Sequence, residues 1–569
     1  MSSTSRNILA RTYLFLLLAL PNIYAVFVAS DLDSWTKTLS YIVVVAIGLC
    51  IPMLFLRERV YFIVAGILCL FLAPIEIASL YLNHSPATVT FVGFVYATNW
   101  RETMGVLAAV WPLCICLLAL WISYFVIAAK RPNGWLIPRR IGLWVAGISL
   151  PILFAGAILF FSVYAKRLYH LQHTGEILTL AKDLTVMKFN KIYPYNIYLN
   201  THRVLDNRRK ARHAQTALSS FSFGLAPSQD TLPEIYVLVI GESGRSENFS
   251  LNGYERMTNP RLQKRSNVVS YNKMFSQAGT TEQSVPHMIS RIPITQPEQI
   301  YTEKSLPEAF QEAGYTSIWL TNKSRAFYLE RIRKAMDSYY ETGKDMSVLN
   351  NYDEYLFAPL KEVLASDANK LFIVMHTMGS HWRYDTRYPA AFEQFTPVFG
   401  SDFSLSMINP ANRDKLVNAY DNTILYTDYF LDSLIQLLDN KDVPALMLYM
   451  PDHGENLYDD ERQLVLHGNY STSQWLIHVP FIVWFSDEYA AQHPEKVQQM
   501  SAHAACRDNA SVIFPSMIDA AGLRYINDTA SDAAWRTRSI FSETYRSPDT
   551  LWVMTAESVL ETLPSSLAD

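Results

Sequence analysis

Four short polar clusters carry side chains able to do chemistry, and each follows an apolar run. Gly241-Glu242-Ser243 comes after Ile235–Ile240, and Asn322-Lys323 after Ser317–Thr321. His376-Thr377-Met378-Gly379-Ser380-His381 comes after Leu371–Met375, and Pro451-Asp452-His453-Gly454-Glu455 after Ala445–Tyr449. A glutamate, an Asp-His pair, further histidines and a lysine form an oxygen-and-nitrogen donor set that suits zinc or manganese. Each cluster alone has a plainer reading, since Asp-His-Gly also makes a turn and a lone His before Gly, as at His467, also makes a cap. Their shared position is what points to a metal site. Cys506 is the only cysteine beyond residue 165, so a cysteine-based zinc site and an internal disulfide are both excluded there.

The elements that must position these clusters are strands. The four runs, with Pro480–Phe485, are apolar throughout and separated by helix-like segments, which predicts a parallel sheet covered on both faces. In such sheets ligands sit beyond the C-terminal strand ends, where all four clusters fall.

The rest of the chain is of another kind. The 569 residues are 50% hydrophobic and carry 48 basic and 52 acidic groups, for a net charge of −4. This balance excludes a nucleic-acid partner, which needs a basic surface. The charge is unevenly spread: residues 1–165 hold 10 basic and 5 acidic groups, leaving 38 and 47 for the remainder. A bilayer crossing takes roughly 20 apolar residues in a helix. Five stretches qualify: Tyr13–Ser30, Leu39–Leu56, Tyr61–Leu82, Gly105–Ala129 and Ile141–Tyr164. Arg6, Arg11, Arg57, Arg59, Lys130, Arg131, Arg139 and Arg140 fall on one side of these spans, against Lys37 and Arg101 on the other. The N-terminus is therefore expected in the cytoplasm and everything after Tyr164 outside it. Glu76, inside the third span, is an ionisable group at membrane depth. The domains expected are a five-helix membrane domain at 1–165, interfacial helices and a linker at 166–230, and a soluble catalytic domain at 231–569.

The stretch from Gly241 through Asn252-Gly253-Tyr254-Glu255-Arg256-Met257-Thr258-Asn259-Pro260 resembles the phosphoethanolamine transferases. These are bacterial inner-membrane enzymes that modify lipopolysaccharide and include the colistin-resistance transferases. The likeness extends to Gly279-Thr280-Thr281-Glu282-Gln283-Ser284-Val285-Pro286, His376–His381, Arg387-Tyr388-Pro389, Asp452-His453-Gly454-Glu455 and His467-Gly468. It implies a multi-pass α-helical membrane domain plus an α/β soluble domain of the sulfatase and alkaline-phosphatase kind. It implies Glu242, Thr281, Asp452 and His453 as zinc ligands (manganese being the other metal that suits them), with Thr281 also the nucleophile. His381 and His467 match histidines that contact the phosphoryl group or assist a second metal. Thr98 and Glu102 fit a pattern near the donor headgroup, and Asn322 and Lys323 stand where some members contact substrate. Two positions that carry a disulfide in some members are Ala278 and His287 here, and Pro451 and Asn456 replace serines; these departures bear on the acceptor, not on the ligands.

The implied reaction moves phosphoethanolamine from phosphatidylethanolamine to lipid A or the lipopolysaccharide core through a phosphoethanolamine-threonine ester, by a monomer with its catalytic domain in the periplasm. Zinc lowers the pKa of a bound oxygen, which a threonine nucleophile requires. Without the resemblance, the commonest duty of Thr281 is to cap a helix starting near Glu282. Two other functions share these features. One is phosphoglycerol transfer of the lipoteichoic acid synthase type, or transfer to another surface glycan. The other is a non-catalytic membrane receptor. The Asn252-x-Tyr254-x-Arg256-x-Thr258-x-Pro260 signature argues against phosphoglycerol transfer and the complete ligand set against the receptor, while another surface glycan stays open as acceptor. Capping surface phosphates would weaken cationic peptide binding, which predicts polymyxin resistance.

Overall fold

The computed structural model describes residues 3–29, 35–83, 85–97, 111–141, 144, 192–218, 220–226, 232–323, 327–342, 351–400, 407–467, 473–525, 534–555 and 560–563. It divides into two compact units, Met1–Asp206 and Asn207–Asp569.

The first unit is helical: α1 (Ser3–Val28), α2 (Trp35–Cys50), α3 (Glu58–Leu70), α4 (Ala73–Asn83), α5 (Val89–Ala97) and α6 (Trp111–Ala129). Among the described residues α1 is long and apolar enough to cross a membrane, and α3 with α4 passes that test only as one span bent by 44°. The third expected span is thus broken. Pro74, in the first turn of α4, has no N–H to give to the preceding helix and its ring crowds the carbonyl four residues back. The fifth expected span lies outside the described residues except for 141 and 144. Arg11 and Arg131 both bond to the buried Glu58, Arg11 through Nε and Nη2 at 3.0 and 2.6 Å and Arg131 through Nε at 2.6 Å. Glu76 is buried, and its Oε2 accepts from Ala87 N at 3.1 Å and Asn196 Nδ2 at 2.6 Å.

The second unit holds a sheet of β1 (Glu234–Gly241), β2 (Val268–Phe275), β3 (Thr316–Thr321), β4 (Ser338–Glu341), β5 (Lys370–His376), β6 (Ala445–Pro451), β9 (His478–Phe485) and β10 (Asp508–Asn509). Between β6 and β9 lies a small hairpin, β7 (Asn456–Leu457) with β8 (Val465–Leu466). The sheet order is β10-β2-β9-β6-β1-β5-β3-β4. β3, β5, β1 and β6 run parallel, as expected, and β4, which no apolar run announced, joins them in parallel at the edge. β9 does not: it runs antiparallel to β6 and to β2. A parallel neighbour needs a crossover over the sheet face. Here the chain stays at the C-terminal edge through the hairpin and re-enters from that edge, so it must run back.

Helices α7 (Thr281–Met288), α8 (Leu306–Glu312), α9 (Phe357–Leu364), α10 (Arg413–Asp439), α11 (Gln474–Ile477) and α12 (Ile513–Ala520) surround the sheet. Alternate side chains of one strand point to opposite faces. Tyr236, Leu238 and Ile240 pack with Trp319, Phe372, Phe310 of α8 and Met517 of α12. Ile235, Val237 and Val239 pack with Ile318, Ile373, Leu360 of α9 and Leu434 of α10. Both faces are therefore apolar core, each large side chain contributing about 1.5–3 kcal/mol, and this rigid slab holds the strand ends in place.

Two features fall outside the expectations. The stretch expected as linker is fastened: the Glu312 carboxylate accepts from Phe223 N at 2.8 Å, Leu225 N at 3.0 Å and Ser222 Oγ at 2.8 Å. The loop after Glu242 is stapled to α10. Asp421 accepts from Asn248 Nδ2 at 2.5 Å and from the Tyr254 hydroxyl and Arg256 Nη1 at 2.8 Å each. About two and three turns further along, Asp428 accepts from Arg261 N and Leu262 N, and Asp432 from Arg265 Nε.

Candidate metal and transfer site

β1 and β6 are in register from Ile235–Ala445 to Gly241–Pro451, so Glu242 and Asp452 are the next residues out on adjacent strands. Asp452 N donates to the Gly241 carbonyl at 3.0 Å. Asp452 Oδ1 accepts from Ser243 N at 3.2 Å and His453 N at 2.8 Å. Gly454 must be glycine, because a Cβ there would lie 2.0 Å from the Trp475 carbonyl oxygen. Glu242, Asp452 and His453 are all buried.

His453 Nε2 lies 3.5 Å from Glu242 Oε1 and 3.8 Å from Asp452 Oδ2. Asp452 Oδ2 is buried with no hydrogen-bond partner. A carboxylate oxygen left bare in the interior costs several kcal/mol unless a cation neutralises it. That oxygen, with no hydrogen bond and the Lys323 ammonium no nearer than 4.0 Å, has a second carboxylate and an imidazole beside it, a donor set that fits a metal ion. Glu242, His453 and His467 also offer ligand atoms within 4.8 Å of one another, which adds His467 to the groups able to share a cation.

Three imidazoles are oriented in the same way. His453 Nδ1 lies 2.7 Å from the Gly454 carbonyl, His467 Nδ1 3.1 Å from Glu455 Oε1, and His381 Nδ1 2.5 Å from the Trp382 carbonyl. Each acceptor places the ring proton on Nδ1 and leaves Nε2 for a metal or a substrate proton. Their charges differ. Burial pushes His453 down to about 4, and pushes His381 well below the ordinary imidazole value with help from Arg387. Burial also works against His467, but Glu455 outweighs it and the pKa is raised. Asp452 is held low despite burial, with His453 and Lys323 the main opposing groups. Thus Glu455 favours the protonated form of His467, while burial favours the neutral form of His453.

Thr281 is the first residue of α7, and the cap position belongs to Thr280, which makes no side-chain cap bond. The Thr281 hydroxyl instead lies 3.2 and 3.3 Å from the Glu242 oxygens and 3.4 Å from His453 Nε2. The helix start places partial positive charge at this oxygen. Ser284, one turn along α7, bonds at 3.0 Å to Ser276 Oγ, which in turn donates to the Asp452 carbonyl. The Gly-Thr-Thr segment is thereby tied to the metal-binding strand end.

Lys323 pairs with Glu242 through Nζ and lies 4.0 Å from Asp452 Oδ2. Burial pulls its ammonium down to about 8, against the pull of Asp452 and Asp353. Asn322 is buried and its Nδ2 donates to Asp353 at 2.7 Å, while its Oδ1 has no hydrogen-bond partner. His376 is buried and packs edge-on against Trp319. Thr98 and Glu102 lie outside the described residues. Tyr254 and Arg256, read as signature residues, are spent on Asp421 and Asn418 of α10.

Sequence reasoning gave no role to Glu455, although it quoted the motif containing it. It also missed Arg245, which is buried, donates to Asp459 and the Glu455 carbonyl at 2.8 and 3.3 Å, and so joins the loops after β1 and β6. A lone arginine after Gly-Glu-Ser-Gly carries no local signal for that partner.

Residues 234–523 match the sulfatase family. Phosphoethanolamine transferase EptA of Escherichia coli strain K12 is 34% identical over 273 residues, 45% of this chain and 47% of that protein, so the chain spans about half the length of this relative. The zinc-complexed periplasmic domain of EptC from Escherichia coli superposes with a TM-score of 0.52 at 26% identity, covering 59% of this chain and 94% of that one. The integral membrane lipooligosaccharide phosphoethanolamine transferase A (EptA) of Neisseria meningitidis superposes with a TM-score of 0.67 at 22% identity, covering 96% of this chain and 97% of that one. The likeness reaches the helical unit as well as the α/β unit, and the resemblance read from the motifs is borne out by relatives of that name. With its parallel core sheet and the donor groups at its strand ends, the chain belongs to the sulfatase family, in the company of the phosphoethanolamine transferases.

Proposed function

We propose that this chain transfers phosphoethanolamine from phosphatidylethanolamine to lipid A or the lipopolysaccharide core. The observation that carries this is the Thr281 hydroxyl, directed at Glu242 and His453 rather than at the helix it begins. A zinc ion held by Glu242, Thr281, Asp452 and His453 would act as a Lewis acid, easing loss of the hydroxyl proton and offsetting phosphoryl charge.

In the first half-reaction Thr281 Oγ1 forms a bond to phosphorus and gives its proton to Glu242. The bond from phosphorus to the diacylglycerol oxygen breaks, and His467 supplies that oxygen with a proton from Nε2. In the second, an acceptor oxygen forms a bond to the same phosphorus, the bond from phosphorus to Thr281 Oγ1 breaks, and Glu242 returns its proton to Thr281; His467 Nε2 regains its proton from a hydroxyl acceptor, or from solvent where the acceptor is an ionised phosphate. His381, neutral and beside His467, is placed to accept a bond from the acceptor. Lys323 adds positive charge where phosphoryl oxygens would lie.

The first unit serves as the membrane part, in a bacterial inner membrane, with the α/β unit in the periplasm. Arg11, Glu58 and Arg131 meet at one end of the helices, which supports the same-side reading of the basic loops. Thr98 and Glu102 remain candidates for the donor headgroup, the protein is a monomer, and the domains follow 1–165, 166–230 and 231–569. The test is transfer from liposomes of phosphatidylethanolamine or phosphatidylglycerol to purified lipid A or core, read by mass spectrometry. Phosphoethanolamine on the acceptor is expected; phosphoglycerol alone would overturn the reading.

A further inference from the structure

A carboxylate outside every motif lies behind the site. Asp353 opens the short turn Asp353–Leu356 and is 4% exposed. Its Oδ1 accepts from Met378 N and from Asn322 Nδ2, each at 2.7 Å, and its Oδ2 accepts from Gly379 N at 3.0 Å. These donors stand just beyond two neighbouring strands, β3 and β5. Each leads to a site residue. Lys323 follows Asn322 and pairs with the Glu242 carboxylate. His381 closes the turn by donating its backbone N–H to the Met378 carbonyl at 3.0 Å.

The same turn rests on Glu242. Ser380 N donates to the Glu242 carbonyl at 2.9 Å. Gly379 has a φ of +45°, and a Cβ there would lie 2.8 Å from the Glu242 carbonyl oxygen and 2.9 Å from its nitrogen. Asp353 therefore closes a ring. One arm runs through Asn322 and Lys323 to the Glu242 side chain, and the other through Gly379 and Ser380 to the Glu242 backbone. Capping two amides would need only the turn; the bond to Asn322 couples that turn to the lysine.

We propose that Asp353 is a positioning residue of the transfer site, holding Lys323 and His381 in register with Glu242. The inference rests on the transfer reading above. The experiment uses the detergent-solubilised full chain carrying Asp353→Asn, Lys323→Ala or both. Diacylglycerol release from phosphatidylethanolamine, bound zinc and melting temperature are measured for each. Asp353→Asn is expected to lower kcat about 10- to 100-fold with KM changed less than about threefold and zinc content kept. The double variant is expected to be no worse than about threefold below Lys323→Ala alone, because the two act as a unit. Multiplying losses would overturn the proposal, as would a kcat loss that tracks zinc or melting temperature across Asp353→Asn and Asp353→Glu. Unimpaired Asp353→Asn beside an active wild type overturns this proposal alone, whereas a wild type that releases no diacylglycerol overturns the functional reading and this proposal with it.

Discussion

His467 Nδ1 lies 3.1 Å from Glu455 Oε1, and the His467 ring centre lies 4.5 Å from that of His453. The Glu455 carboxylate thus raises the pKa of one imidazole against its burial, while burial lowers that of its neighbour. Two imidazoles of opposite pKa shift lie side by side in one cluster.

Glu455→Gln removes the charge that raises the His467 pKa but leaves an oxygen to accept from Nδ1. The expected result is a 10- to 100-fold fall in kcat, the usual scale for losing such a partner, with bound zinc unchanged. Steady-state kinetics and elemental analysis of the purified protein check this together.

Thr281→Ala is expected to bind donor lipid and zinc yet yield no labelled covalent protein from headgroup-labelled phosphatidylethanolamine. Thr281→Ser should still label. An undiminished label on the alanine variant would remove Thr281 from the reaction.

Asp452→Ala and His453→Ala each delete a buried donor atom beside Glu242. Both should lower bound metal below half occupancy after dialysis against a weak chelator, since metal affinity depends on the full ligand set. Asp452→Asn should lose metal with less loss of fold, because Ser243 N and His453 N can still donate to its oxygen.

His287, six residues along α7 from Thr281, supplies a pH dependence of its own. It is buried beside the Ile292 carbonyl, and burial pushes its pKa down to about 4. The unfolded chain takes up the proton near the ordinary imidazole value while the folded chain resists it. Its contribution to stability is therefore complete above about pH 6.5 and is lost as pH falls toward about 4, by up to roughly 3 kcal/mol. Melting curves of the full chain at stepped pH should show this slope, and His287→Asn should flatten it.

Asp421→Ala strips Asn248, Tyr254 and Arg256 of a shared buried acceptor. A stability loss of roughly 3 kcal/mol is expected, the scale for breaking a buried ionic contact. Preference between phosphatidylethanolamine and phosphatidylglycerol should not change, because the signature residues bond to α10 rather than line the site. Chemical denaturation and the two-liposome assay decide both parts.

The strand ends were legible because a fully buried strand must be apolar along its whole length, and polar residues crowd where it stops. That logic placed Glu242, His376–His381, Lys323 and Asp452-His453 on one edge. It failed for β9, equally apolar, because burial says nothing of direction. Nor does it tell that the Asn322 Nδ2 faces Asp353. The signature from Asn252 to Pro260 was recognisable without its purpose, since Asp421 is more than 160 residues away in the chain.

By itself the sequence determined the division into an apolar helical part and an α/β part and the order of five of the strands along the chain, and it offered the residues of the candidate metal site. Run length and residue chemistry are local properties, and a short window holds them. Only the tertiary structure decided that Thr281 leaves capping aside for Glu242 and His453, that Glu455 raises the pKa of His467, and that Asp353 stands behind Lys323. Those relations join residues from 12 to 172 positions apart, and distances over such separations come from sheet register and packing.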